Sequence, residues 1–115
     1  MRLRWTEGAI AFGLGEDEEA EAAFREVQAE FLSLNMDYNA ALVSLDLAVL
    51  LSKQGRGDEL KRLAVDLMAA FEAREIYRES TAVLILFQRA CEEERMTAEL
   101  ARQLAELLRK GKRQG

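Results

Sequence analysis

Residues 15–37 read GEDEEAEAAFREVQAEFLSLNMD. Within this stretch Ala20, Phe24, Val27, Phe31 and Leu34 recur every three or four positions, which places them on one stripe of a helix. Glu18, Glu21, Arg25, Glu26 and Glu30 fall on the opposite face. Glu16, Asp17, Glu18 and Glu19 crowd the start, where the helix dipole favours negative charge. Asn35 follows the last apolar residue and suits a left-handed C-terminal cap. Asp37 then stands where it can cap the next helix.

Working outward, residues 40–51 are apolar nearly all round, which predicts a helix buried between neighbours on both sides, running to about Gln54. Gly55 and Gly57 break it, and a fourth helix follows with Leu60, Leu63, Ala64, Leu67, Met68 and Phe71 on one stripe. A fifth runs from Tyr77 to Glu94. Its segment Val83–Phe87 could be a buried strand on composition, but it sits in a long run without a turn signal, which favours helix. Thr97 caps a sixth helix with Leu100, Leu104, Leu107 and Leu108 inward and Arg102, Gln103, Glu106, Arg109 and Lys110 outward. Ahead of all these, Leu3 to Phe12 forms a short first helix ending at Gly13 or Gly15. A chain of 115 residues with no Pro is biased toward helix throughout, and the class is all-α.

Laying the chain on itself with a shift of forty residues aligns Gly15 with Gly55 and Arg95, and Glu19 with Glu59 and Glu99. Ala20 meets Leu60 and Leu100, Phe24 meets Ala64 and Leu104, and Val27 meets Leu67 and Leu107. Phe31 meets Phe71, Met36 meets Ile76, and Val43 meets Val83. Three units emerge, each a helix, a tight turn and a second helix, stacking apolar face on apolar face. Turns are expected near Gly15, Asn35, Gly55, Glu75 and Arg95.

Gly8, Gly15, Ala20 and Phe24 in the first unit, and Leu47, Ala48, Leu51 and Gly55 in the second, resemble the tetratricopeptide repeat in their spacing. The chain departs from that pattern in having no closing Pro and a period nearer forty than thirty-four. It is similar in this to the longer-helix repeats of bacterial regulatory and signalling proteins. The resemblance implies antiparallel helix pairs in a short right-handed superhelix of about three repeats of ~40 residues. It also implies a concave face, lined by the first helix of each pair, that takes a peptide or helix of a partner protein. Carried onto this chain, that face comprises Trp5 and Phe12, then Leu42, Leu45, Asp46, Val49 and Lys53, then Ile85, Arg89 and Glu92. The alternative stays open that these apolar residues pack into a closed stack.

Chemistry is constrained mainly by what the composition lacks. There is no His, which removes the commonest general base, the Ser-His-Asp and Cys-His systems, and most zinc and di-iron helical sites. No glycine-rich phosphate loop follows a strand. A non-enzymatic role without cofactor or metal is expected, and a fragment of an α-helical enzyme is the remote alternative. Net charge −5 argues against a nucleic-acid partner, and no apolar run is long enough for a membrane span. The single Cys91 permits no internal disulfide, which fits a cytoplasmic protein.

Asp46 stands within an almost wholly apolar segment, where a lone charge would cost several kcal/mol. It therefore requires a partner on another helix, with Arg4 and Arg89 as the candidates, or else serves as a polar anchor for a ligand. The apolar start around Leu3, Trp5, Ile10 and Phe12 reads as one domain, residues 1–115, forming the C-terminal part of a longer protein. Self-association as a homodimer through an edge centred on Trp5 is the alternative function.

Overall fold

Six helices follow one another: α1 Arg2–Gly13, α2 Asp17–Ser33, α3 Asp37–Lys53, α4 Gly57–Glu72, α5 Arg78–Glu92 and α6 Ala98–Gln114. They come from a computed structural model that describes the backbone of residues 2–72 and 78–114 and the side-chain surroundings of residues 3–70 and 82–110. Among the described residues there is no strand, so the apolar run 83–87 is helical. The expected turn at Glu75, the repeat position Ile76 and the expected helix start at Tyr77 lie outside the described residues, as does the side chain of Phe71.

Three of the turns are copies of one another. The Gly15, Asn35 and Gly55 residues all take positive φ, at 80°, 60° and 68°. Behind each, the next amide reaches back to close the helix: Glu16 N–H to Ala11 O at 2.8 Å, Met36 N–H to Phe31 O at 2.9 Å, Arg56 N–H to Leu51 O at 3.0 Å. This six-to-one bond is the Schellman closure, and it needs a residue that tolerates the left-handed region. Gly does so freely and Asn at small cost, which is why these residues stand there. Met36 rather than Asp37 takes the cap position of α3, without a side-chain cap bond of its own, and Asp37 is the first helical residue.

The fourth described turn differs. Its left-handed residue is Glu94, φ 58°, and Arg95 N–H closes on Ala90 O at 2.8 Å. Three residues separate the helices at each earlier turn, but five (93–97) separate α5 from α6. Thr97 then caps α6 as expected, accepting from Leu100 N–H at 3.0 Å.

This longer linker changes which side of α6 faces inward. In α2 the buried positions include Ala20, Ala23, Phe24 and Val27, and in α4 they include Leu60, Leu63, Ala64 and Leu67, a shift of forty. In α6 they are Ala101, Leu104, Ala105 and Leu108, a shift of forty-one from α4. Leu107, expected inward, is therefore exposed, and Leu100 is only half-buried. Small Ala101 and Ala105 let α6 lie close against another helix, and it packs on α3.

Helix α3 is thus flanked by α2, α4 and α6, which accounts for its lack of a polar face. Residues 40–45 and 47–51 are all buried, Ser44 included, and Ser44 bonds Ala40 O and accepts from Gln28. The radius of gyration is 13.1 Å, the value of a compact domain of this length.

An ion-pair cluster ties α2 to the α3–α4 turn. Arg56 donates to both Glu21 oxygens at 2.6 and 3.0 Å and pairs with Glu59, while Arg25 donates to Glu21 at 2.8 Å. The Arg56 guanidinium, helped by Arg25, holds the Glu21 carboxyl down at about 2 from an ordinary 4.5. A depressed carboxylate stabilises the fold above its ordinary value and loses that contribution as pH falls toward the folded value. Wild type is therefore expected to lose about 1 kcal/mol of this pair between pH 4.5 and 2. Glu21→Gln should flatten that limb in acid-unfolding curves followed by circular dichroism.

Candidate functional site

Helix α1 lies close against α2 because residue 8 is glycine. A Cβ there would stand 2.9 Å from Ala23 Cβ and 3.0 Å from the Phe24 ring. That approach sets the rotation of α1, which turns Trp5 inward rather than to an open edge. The Trp5 ring meets Phe31 edge-on, centroids 5.6 Å apart at 73°, and its Nε1–H donates to Asp46 Oδ2 at 2.7 Å.

The partner that Asp46 requires is thus the Trp5 indole, and neither of the expected arginines. Arg4 donates to Glu26 at 2.7 Å and lies 3.7 Å from Glu7, so it serves α1–α2 contact. Arg89 is exposed on α5. Burial pushes the Asp46 carboxyl above the usual carboxylate range, and the Trp5 hydrogen bond and the Arg109 charge oppose that push.

Asp46 forms part of the wall of a cleft of about 180 Å³ bounded by Ala9 and Phe12 of α1, Phe24 of α2, Val49 of α3 and Arg102 of α6. Lys53 Nζ stands over the ring of Phe12, one of these wall residues, 5.1 Å from the centroid, in cation–π contact. Five of the ten residues expected on a concave face therefore come together: Trp5, Phe12, Asp46, Val49 and Lys53. The cleft offers an aromatic wall, one carboxylate, and cations of two helices within a short reach.

The other five do not join them. Leu42 and Leu45 are core residues, because α3 is enclosed by α2, α4 and α6, and Val49 contributes only an edge to the cleft. Ile85, Arg89 and Glu92 are exposed on α5, with Glu92 accepting from Gln88 at 3.3 Å. They form a separate surface, since it is α6 rather than α5 that packs substantially on α3.

Sequence reasoning missed Arg102 as a cleft residue by placing it on the outer face of α6. The spacing of Ala101, Leu104, Ala105 and Leu108 carried the signal, because it rotates the inward face toward Arg102. Cys91 is buried among apolar neighbours, and burial pushes its thiol up to about 12. It is a packing residue. Among the described residues no cluster of His, Cys, Asp or Glu could hold a metal ion, and no helix is long and apolar enough to cross a membrane. Comparison with protein-family models, with curated proteins and with solved structures returns no match.

Proposed function

We propose that this chain is a protein-interaction module that takes a peptide or helix of a partner on the face formed by α1 and α3, as a tetratricopeptide-like scaffold of bacterial regulation or signalling would. The observation that carries this reading is the convergence of Phe12, Asp46, Val49 and Lys53 with Arg102 around one cleft. Recognition clefts of this sort combine an apolar wall with a few placed charges. The forty-residue register shared by α2 and α4, and the repeated Schellman turns, support a repeat origin for the first two units. The third unit is a variant in which α6 has swung onto α3. The role is one of binding rather than catalysis, and a reducing cytoplasm suits the single, buried Cys91.

Panning the intact chain against a displayed library of random peptides tests this reading. Retained clones are expected to lose roughly tenfold or more in affinity to Phe12→Ala, Lys53→Glu and Arg102→Glu. Clones held equally by all three variants would reject the cleft as the binding face.

Self-association is a second reading, favoured by a specific observation. Leu3 and Ile10, 75 % and 58 % exposed and seven residues apart, lie on the side of α1 away from the core, and Leu14, 69 % exposed, follows them in the turn. An amphipathic surface helix buries one stripe, whereas α1 is apolar on both sides. The associating edge is then this outer stripe, since Trp5 is turned inward. Ile10→Glu should convert a sedimenting dimer to monomer with helicity unchanged, and a wild type that is monomeric at high micromolar concentration excludes the reading.

A further inference from the structure

The cleft faces one side of α3, and a different opening lies on another. Helices α2 and α4 run in the same direction along α3 and leave between them a groove of about 340 Å³. Its α2 wall is the stripe Glu21, Arg25, Gln28 and Leu32, eleven residue steps from first to last. At 1.5 Å per residue that is about 16 Å, the length of three helical turns.

The two ends of the groove differ in what they leave unsatisfied. At one end Glu21, Arg25 and Glu59 are bound to one another and to Arg56, so that end is closed by its own charges. Further along, Gln28 is committed to Ser44, and Leu32, Leu63 and Leu67 supply apolar wall. Between them on the α4 lip stand Arg62 and Asp66, exposed, opposite in charge and one turn apart. Neither makes a hydrogen bond or ion pair with any described residue.

We infer that this groove is a second docking site and that its occupant is an amphipathic helix of another protein carrying an acidic and a basic residue one turn apart. The acid meets Arg62, the base meets Asp66, and the apolar seam between them lies on Leu32, Leu63 and Leu67. Both walls are helices whose backbone groups are already paired, so an extended strand would find no ladder to join. A second copy of this chain seating one of its own helices here would make a head-to-tail contact, which yields a ring where its rotation closes and an open filament where it does not. A separate partner avoids that.

Two labelled helical peptides with the same leucine seam test the inference, one with Glu four residues before Lys and one with the order reversed. Against the full chain, anisotropy is expected to show one order bound roughly tenfold tighter, which also reports whether the helix runs parallel or antiparallel to α4. The double variant Arg62→Glu, Asp66→Lys, its helicity checked by circular dichroism, should exchange that preference. Failure of both peptides to bind, equal binding, or a preference unmoved by the double reversal would overturn the inference. So would wild-type self-association in sedimentation that the double reversal abolishes, since the occupant would then be a second copy. The site is separate from the Asp46 cleft, so Phe12→Ala should leave peptide binding here unchanged.

Discussion

Replacing Gly8 by leucine is expected to lift α1 from α2 and destabilise the fold by about 3 kcal/mol, the upper range for overpacking. The added atoms would meet Ala23 Cβ and the Phe24 ring inside ordinary contact distance, and neither can move aside. Ala23 is a fixed stub, and Phe24 is held in the core. Gly8→Ala is the gentler version. It gains about 0.5–1 kcal/mol of helix propensity but still places a Cβ 2.9 Å from Ala23, so it should be net destabilising. Urea unfolding followed by circular dichroism gives the size. The near-ultraviolet signal of the single Trp should collapse with it, because Trp5 rides on α1.

The second large effect is expected at Trp5 itself. Trp5→Ala removes the edge contact with Phe31 and the donor to Asp46 and should cost about 3 kcal/mol. Trp5→Phe keeps an aromatic ring against Phe31 but leaves the half-buried Asp46 carboxylate without its donor, for about 1–2 kcal/mol. Asp46→Leu should be milder than Asp46→Ala, because it refills the space while orphaning only the indole N–H. In a double-mutant cycle the two sites should couple by about 1 kcal/mol. Additive losses would mean that the hydrogen bond contributes nothing beyond packing.

These two sites show what the sequence made legible and what it did not. Local rules sufficed for the turns at Gly15, Asn35 and Gly55, since a left-handed cap leaves its mark in the residue that can adopt it. They also sufficed for burial of α3 and for the need of Asp46 for a partner, because an apolar surround makes a lone carboxylate costly. The identity of that partner depended on the rotation of α1, which a single close contact at Gly8 fixes. No spacing rule distinguishes Arg4 from Trp5 as the donor. The docking of α6 on α3 was hidden for a related reason. The turn after α5 comes one residue early, with Glu94 in the left-handed position, and its linker is two residues longer, so the inward face moves by one position net, which a forty-residue alignment of apolar residues conceals. The outcome is that the open face expected over Leu42 and Leu45 is largely core, and the cleft is what remains of it.

The indole N–H of Trp5 gives the most direct test of the central claim, that the cleft beside Asp46 receives a partner segment. It is the only tryptophan in the chain, so its amide-region NMR resonance is unique, and it is bonded at 2.7 Å to the carboxylate of that cleft. On titration with a peptide selected by the intact chain, the account predicts a saturable shift of this resonance. Backbone shifts should accompany it at Phe12, Val49, Lys53 and Arg102, with the same affinity. Saturation of the peptide with these resonances unmoved, and shifts confined to α5 or to the outer side of α1, would contradict the account.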